Sequence, residues 1–141
     1  GRFLVKQILC CAACGATLTP ALTVVSSKTP GVILPEHEDG KPLTPRGSVF
    51  KSWEPIERSY GDEPALLEFA PQYWLNPEDL DGEVRNTPDV RRLNGCCGLD
   101  GCDGPNQVCQ CGADVGTLRT DCWTPLVFIP DPGSINWIEE Q

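Results

Sequence analysis

Residues 94–112 read NGCCGLDGCDGPNQVCQCG and carry five of the nine cysteines of the chain. These cysteines stand among glycines, two aspartates and a proline, which are residues typical of tight turns. The sequence has no cysteine between positions 14 and 96, so the thiols fall into an early set and a late set. Three kinds of chemistry could gather them: disulfide bonds, a metal ion or a reactive sulfur.

The odd number of cysteines favours metal binding over a complete disulfide framework, because full pairing would leave one thiol over. The opening stretch GRFLVKQILCCAACGATL lacks the long uninterrupted apolar run of a signal peptide. We therefore expect a cytoplasmic protein. Disulfides seldom persist in that reducing compartment, which again favours a metal.

The spacing of two cysteine pairs predicts a tetrahedral zinc site. Cys11 and Cys14 are two residues apart and are followed by Gly15, which can take the positive φ of a tight turn. Cys109 and Cys111 form a tighter pair that is also followed by glycine. In such a turn both sulfurs can reach about 2.3 Å from one ion. We therefore predict one structural Zn²⁺ with four ligands: Cys11, Cys14, Cys109 and Cys111.

The remaining cysteines form a second candidate set. Vicinal Cys96 and Cys97 could each face a different ion, or the set could consist of disulfide-bonded or small buried residues. Cys10 is the odd residue, because strand alternation would place it on the face opposite Cys11. The second candidate metal site contains Cys96, Cys97, Cys102 and Cys122.

Short apolar runs separated by turn residues predict a mainly β fold with little helix. We interpret the whole chain as a single zinc-ribbon-like domain with a long loop-rich insertion between two cysteine knuckles. Its parts are knuckle 1 at 10–15, the insertion at 26–95, the cysteine-rich loop and knuckle 2 at 96–112, and a closing hairpin at 113–130.

Local patterns predict several individual elements. A strand is expected at 4–10 with a return strand at 21–25, short strands are expected at apolar islands of the insertion such as 49–50, and 66–70 and 73–75 are strand or core segments. Residues 114–120 and 123–129 are expected to pair as a hairpin. Val32-Ile33-Leu34 is a further apolar island within the insertion. Asn76-Pro77 predicts a helical turn in which Asn76 is the N-cap. We expect residues 134–140 to form a final turn, with Trp137 packing back.

Two segments resemble a group of uncharacterised bacterial cysteine-rich, zinc-ribbon-like proteins. They are RLNGCCGLDGCDGPNQVCQCGADVGTLRTDCW at 92–123 and CAACGATLTP at 11–20. In that group a CxxCG opening is followed much later by CCGxDGxDGPN, a second CG motif and an Asp-Cys pair. Here the second pair is C-x-C rather than C-x-x-C, and Cys102 has no counterpart. The resemblance implies no activity. It implies that Cys11, Cys14, Cys109 and Cys111 are ligands, with Cys96, Cys97 and Cys122 as further candidates.

Composition restricts the classes of partner. The formal net charge is −9, which disfavours binding to nucleic acid or to anionic membranes. We expect a protein partner, and the charge favours a basic one. The acidic, proline-rich region 30–64 is a candidate docking surface, with Phe50 and Trp53 as aromatic anchors.

The sequence also argues against catalysis. His37 is the one histidine, far in sequence from every cysteine, and no serine-based triad is apparent. Four thiolates would leave no open zinc position for hydrolysis. We predict a non-catalytic zinc-binding interaction domain, such as an accessory subunit, an inhibitor or an immunity-type partner. The alternative is a thiol-redox or metal-handling protein that uses the C-x-x-C pair and the vicinal cysteines.

Overall fold

The computed structural model describes residues 6–56, 69–82, 84–122 and 124–140. Within these residues, nine strands form one sheet, and the helical elements are two three-residue 3-10 turns. The prediction of a mainly β fold with little helix is confirmed. The strands are β1 Lys6–Cys11, β2 Leu22–Ser26, β3 Ser48–Ser52, β4 Gln72–Leu75, β5 Val84–Asn86, β6 Gln107–Cys109, β7 Asp114–Arg119, β8 Val127–Pro130 and β9 Ile135–Glu139. The 3-10 turns are Pro77–Asp79 and Val90–Arg92.

The sheet is mixed and curled, with the strand order β5-β6-β7-β8-β4-β3-β2-β1-β9. Only the β2–β3 pair is parallel among these strand pairs. Five strands separate β1 from β6 along the sheet. Nevertheless Cys11, the last residue of β1, and Cys109, the last residue of β6, belong to the same buried cluster. The curl of the sheet therefore brings together the ends of two strands that are distant in strand order.

The central strands bury both of their faces. Neighbouring residues on β3, β4 and β8 alternate between two apolar clusters, as the two-residue period of a strand requires. We call the cluster that contains the cysteines the inner core and the other cluster the outer core. Inner-core residues on these strands are Val49, Leu75 and Phe128, and their outer-core neighbours are Phe50, Trp74, Val127 and Ile129.

The proline-rich part of the insertion covers the outer core. The Leu43 N–H donates to the Leu126 carbonyl at 3.0 Å, and the Leu126 N–H donates to the Lys41 carbonyl at 2.9 Å. The ring of His37 meets the Trp74 ring edge-on, with centroids 5.5 Å apart. The insertion also contributes β3, β4 and β5 to the sheet. It is therefore both a source of strands and a cover for one face.

Several local predictions are confirmed. Strands β1 and β2 pair antiparallel, with Lys6 opposite Thr23, and β7 pairs antiparallel with β8. The side chain of Asn76 accepts the Glu78 N–H at 2.9 Å, as an N-cap does. Three parts of predicted elements lie outside the described residues: 4–5, 66–68 and Trp123.

Two predicted segments differ from the structure. Residues 32–34 form no strand, and Ile33 is 91% exposed. Residues 135–139 were expected within a final turn and form β9 instead. They pair with the free edge of β1, with Leu9 opposite Trp137, because unpaired backbone groups at that edge need partners. Trp137 does pack back, with its ring 5.0 Å from that of Tyr73.

Nothing helical in the described ranges has the length or apolar character to cross a membrane.

Candidate metal centre

Within the described residues, the structure gathers cysteines into two groups, and either could hold a metal ion. In each group the sulfur atoms all lie within 4.8 Å of one another. Cys10 is buried but belongs to neither group. We call Cys11, Cys14, Cys109 and Cys111 the four-cysteine site, and Cys96, Cys97 and Cys122 the three-cysteine cluster.

Knuckle 1 is a tight turn at the end of β1. The Gly15 N–H donates to the Cys11 carbonyl at 2.8 Å, and the Cys11 N–H donates to the Ala16 carbonyl at 2.9 Å. Gly15 has a φ of +78°, which a residue with a Cβ adopts only with strain. The predicted need for glycine at this position is confirmed.

Knuckle 2 repeats this arrangement at the end of β6, although it is one residue shorter. The Gly112 N–H donates to the Cys109 carbonyl at 2.8 Å, and the Cys109 N–H donates to the Ala113 carbonyl at 2.9 Å. Gly112 has a φ of +94°. Because the two turns share their hydrogen bonds and their glycine conformation, the C-x-C pair presents its sulfurs in the same manner as the C-x-x-C pair.

The sulfur separations at the four-cysteine site fit a tetrahedral ion. The Cys11 and Cys111 sulfurs are 3.7 Å apart, and the Cys14 and Cys109 sulfurs are 3.6 Å apart. A regular tetrahedron with metal–sulfur bonds of about 2.3 Å has edges of about 3.8 Å. Each of these two pairs takes one sulfur from each knuckle, so the two turns face each other across the site.

Backbone N–H groups of both knuckles point at the sulfurs. The Cys11 sulfur accepts from the Cys14 and Ala13 N–H groups, the Cys109 sulfur from Cys111, and the Cys111 sulfur from Ala113. Donors of this kind stabilise a thiolate. The donors therefore prepare the sulfurs for the ionised form in which cysteine binds a metal.

The thiol pKa values of Cys11, Cys109 and Cys111 are shifted in different directions. Burial raises the pKa of Cys11, but the N–H donors of Cys14 and Ala13 outweigh it and lower the pKa to about 7. Burial raises the pKa of Cys109 to about 12. The pKa of Cys111 is lowered by the Ala113 N–H, but burial and the neighbouring thiols outweigh this and raise it. Of these three thiols Cys11 ionises most readily, and a bound cation would favour the ionised forms of Cys109 and Cys111.

The four-cysteine site is half buried. Cys11 is 1% exposed and Cys109 is 0% exposed within the inner core, whereas Cys14 and Cys111 are exposed. The first cysteine of each knuckle therefore anchors its turn in the core. The second cysteine of each knuckle faces solvent, where an ion can reach the site.

The three-cysteine cluster is organised by a buried carboxylate, Asp121, to which sequence reasoning gave no role. Oδ1 of Asp121 accepts the N–H groups of Cys97 at 3.0 Å and Cys122 at 2.7 Å, and Oδ2 accepts that of Cys96 at 2.9 Å. These donors lower the pKa of Asp121, with Cys97 and Cys96 contributing most. The Asp-Cys pair of the sequence was the one signal that could have indicated it.

The glycines of NGCCG fit this loop closely against its neighbours. A Cβ at Gly98 would lie 2.5 Å from the Thr120 carbonyl oxygen, and a Cβ at Gly95 would overlap the Gly98 carbonyl. The Leu99 N–H donates to the Thr120 Oγ1 at 3.0 Å. The loop therefore packs its backbone directly onto the chain that precedes Cys122.

The distances within the three-cysteine cluster differ from those of the four-cysteine site. The Cys97 and Cys122 sulfurs are 2.6 Å apart and share a hydrogen bond, which raises the pKa of Cys122 to about 12. This separation is well below the edge of about 3.8 Å expected for two ligands of one zinc ion. All three cysteines are exposed.

Cys102 does not join the group in which the sequence placed it. Its N–H donates to Oδ1 of Asp100 at 2.9 Å, and its sulfur faces the Asp100 carbonyl at 3.7 Å. An Asx-type turn therefore holds Cys102 within its own loop. The second candidate set is reduced to three residues: Cys96, Cys97 and Cys122.

The expected aromatic anchors are only partly available. Phe50 is 4% exposed and stacks on Trp74, with ring centroids 5.4 Å apart, so the expectation that it anchors a partner is wrong. The Trp53 ring is half-buried, with the Lys28 Nζ 4.0 Å from its centroid. Among the described residues of this region, at 30–56, the large apolar side chains that are exposed are instead Ile33, at 91%, and Leu34, at 64%.

Comparison of the chain with family models, with curated protein sequences and with solved structures gives no significant match in any of the three. The geometry of the two cysteine groups is therefore the basis on which a function can be assigned.

Proposed function

We propose that the four-cysteine site binds one structural Zn²⁺ and that the protein is a non-catalytic interaction domain. The observation that carries the proposal is the pair of sulfur separations of 3.7 and 3.6 Å between the two knuckles, which match the edge of a zinc–thiolate tetrahedron. Tetrahedral sulfur sites also hold iron, and the elemental analysis described below distinguishes the two metals. The same features support membership of the cysteine-rich group that segments 11–20 and 92–123 resemble.

Zinc would stabilise the curled sheet by joining β1 to β6. The paired cysteines are 100 and 95 residues apart in sequence, so the ion would close a very long loop and restrict the unfolded chain. Structural zinc contributes about 10–16 kcal/mol in small finger peptides, whereas whole domains are stable by about 5–15 kcal/mol. We therefore expect the folded state to depend on the ion.

A non-catalytic role follows from the coordination. Four thiolates fill the tetrahedron and leave no position for water or a substrate. Four reduced thiols also suit a reducing compartment, which supports a cytoplasmic location.

The interaction surface that we propose is the loop at 31–39. Ile33 and Leu34 are exposed beside Glu36, Glu38 and Asp39, which are also exposed or partly exposed. Large apolar side chains in solvent, flanked by charges, are typical of protein-binding surfaces. Lys41 pairs with Glu38 at 3.2 Å, and the three carboxylates leave the surroundings net negative. We therefore propose a protein partner with an apolar pocket and a basic rim.

Elemental mass spectrometry of the untagged protein, with a thiol count in denaturant under anaerobic conditions, tests the zinc site. We expect one zinc per chain and all nine thiols reduced. Iron in place of zinc would overturn the identity of the metal. A metal-free protein with Cys11–Cys111 and Cys14–Cys109 disulfides would overturn the site itself.

Affinity purification from the native cell tests the interaction surface. The wild-type protein should retain a stoichiometric partner whose binding weakens with salt and is lost in the double variant Ile33→Asp, Leu34→Asp. The matched control is Val90→Asp, because Val90 is 73% exposed but lies in the 3-10 turn Val90–Arg92, outside the loop. Equal retention by the loop variant and the control, or no stoichiometric partner, would contradict the proposal.

A further inference from the structure

We propose that Cys97 and Cys122 are a redox-active dithiol that forms an intramolecular disulfide by exchange with small disulfides. Their sulfurs are already 2.6 Å apart, although the residues are 25 positions apart in sequence. The pair lies outside the four-cysteine site, and the proposal does not depend on zinc there.

The backbone N–H groups of the two cysteines are anchored on one carboxylate. Both N–H groups donate to the same oxygen, Oδ1 of Asp121, at 3.0 Å from Cys97 and 2.7 Å from Cys122. The two backbone nitrogens can be no farther apart than the sum of these distances. This common anchor, together with the sulfur separation of 2.6 Å, places the two side chains where a disulfide can form with small adjustments.

The two sulfurs are accessible to an oxidant. Cys97 and Cys122 are exposed, whereas the first cysteine of each knuckle is buried. In the proposed order, Cys97 attacks first and Cys122 resolves the mixed disulfide. Cys96 lies within 4.8 Å of both sulfurs and remains a thiol after the pair is oxidised.

The exchange takes place in two steps with a small disulfide RSSR as the oxidant. The Cys97 thiolate attacks one sulfur of RSSR and expels RS⁻, which leaves a mixed disulfide on Cys97. Cys122 then loses its proton, attacks the Cys97 sulfur and expels the second RS⁻. The Cys97 and Cys122 thiols are oxidised to one disulfide, RSSR is reduced to two thiols, and the two protons released from the cysteines balance the two thiolates.

The geometry distinguishes Cys97 and Cys122 from the two redox candidates that the sequence suggested, which are the C-x-x-C pair and the vicinal cysteines. Cys11 and Cys14 belong to the four-cysteine site, where sulfurs from opposite knuckles stand 3.6–3.7 Å apart. Cys96 and Cys97 are adjacent residues whose N–H groups bind different oxygens of Asp121. The closest sulfur contact in the three-cysteine cluster instead joins the cysteine-rich loop to the segment before β8.

The test equilibrates the purified protein with reduced and oxidised glutathione, traps thiols by alkylation and maps linked peptides. The Cys97–Cys122 peptide should be the principal disulfide, the thiol count should fall by two, and dithiothreitol should reverse both changes. Zinc content should stay constant throughout. Cys122→Ser should accumulate glutathione on Cys97, whereas Cys96→Ser and the matched exposed control Cys102→Ser should still form the disulfide.

Three results would overturn the proposal. One is a principal disulfide that includes Cys96, and another is a stable glutathione adduct on the wild-type protein. The third is resistance of Cys97 and Cys122 to alkylation until a chelator is added, which would identify the cluster as a metal site. Circular dichroism and zinc content of each serine variant show whether a lost disulfide reflects misfolding. If a variant of Cys97 or Cys122 misfolds, Cys96→Ser still tests the proposal, because it keeps both cysteines of the pair.

Discussion

Gly15 and Gly112 occupy equivalent positions in the two knuckles. Each has a positive φ, +78° and +94°, and each donates its N–H to the carbonyl of the first cysteine of its turn at 2.8 Å. The equivalence holds although one turn has two residues between its cysteines and the other has one. The glycine that follows each pair, rather than the number of residues within it, is therefore the constant feature of the knuckle.

Alanine at either glycine should destabilise the protein. No atom lies within 4 Å of the Cβ position at Gly15 or Gly112, so the cost comes from the backbone conformation alone. We expect a loss of about 1–2 kcal/mol for each variant, measured by urea unfolding with zinc present. Gly82→Ala is the matched control, since its Cβ also meets open space and its φ is not positive. A control as destabilised as Gly15→Ala would contradict this explanation.

Loss of one knuckle cysteine should weaken metal binding much more than loss of the neighbouring cysteine outside the site. Changes to groups that merely support metal ligands cost about 10–100-fold in affinity, so removal of a ligand by Cys109→Ser should exceed about 100-fold. Cys10→Ser should keep its zinc, because Cys10 belongs to neither cysteine group. Competition with a chromogenic chelator measures both affinities. Equal zinc affinity in the two variants would exclude Cys109 as a ligand.

The carboxylate of Asp121 should make the cysteine-rich loop sensitive to acid. The N–H groups of Cys97 and Cys96 hold the pKa of Asp121 below its usual range, which is about 3.9 in an unfolded chain. Between the two values the unfolded state binds more protons, so stability rises with pH there. The contribution is complete above the unfolded value and is lost as the pH falls through the folded value.

Asp121→Asn should remove that contribution. We expect the variant to be less stable than the wild type at pH 7, with a difference that shrinks below about pH 4. Amide hydrogen exchange at Cys96, Cys97 and Cys122 measures the same change locally and should be faster in the variant at pH 7. A stability difference that does not vary with pH would show that the carboxylate charge has no part in holding the loop.

Asn106 should be essential to the strand that follows the cysteine-rich loop. Its side chain is 0% exposed, accepts the Leu118 N–H at 2.7 Å and donates to the Leu118 carbonyl at 2.9 Å. Asn106→Ala would remove the side-chain partner of two partly buried backbone groups, and we expect a loss of about 2–4 kcal/mol in urea unfolding. Asn136→Ala, at an exposed position on β9, should change stability by less than about 0.5 kcal/mol. A small effect of Asn106→Ala would mean that water replaces the side chain.

Local sequence signals predicted the turns better than the sheet. The two cysteine pairs with their glycines, and the Asn76 cap, depend on contacts within a few residues, so the pattern of residue types was enough. The position of β9 depends on the free edge of β1, which is more than a hundred residues away, and no local pattern at 135–139 contains that information.

The second candidate set illustrates the same difference. Cys102 lies among the other cysteines in sequence, but the turn at Asp100 holds it apart from them. Asp121 looked like an ordinary surface aspartate, because its role depends on a loop that returns to it from about 25 residues earlier. Buried polar side chains that organise distant backbone are not visible in composition or spacing.

The curled sheet also sets an order of events during synthesis. Cys11 and Cys14 leave the ribosome early, whereas Cys109 and Cys111 appear only after β2, β3, β4 and β5 have been made. Until then the nascent chain carries half a tetrahedron, and two cysteines bind zinc far more weakly than four. Domains generally fold as units from the N-terminus as the chain grows. The first knuckle must therefore wait for the second, so capture of an ion by all four cysteines would report that the chain has been made at least as far as β6 and knuckle 2.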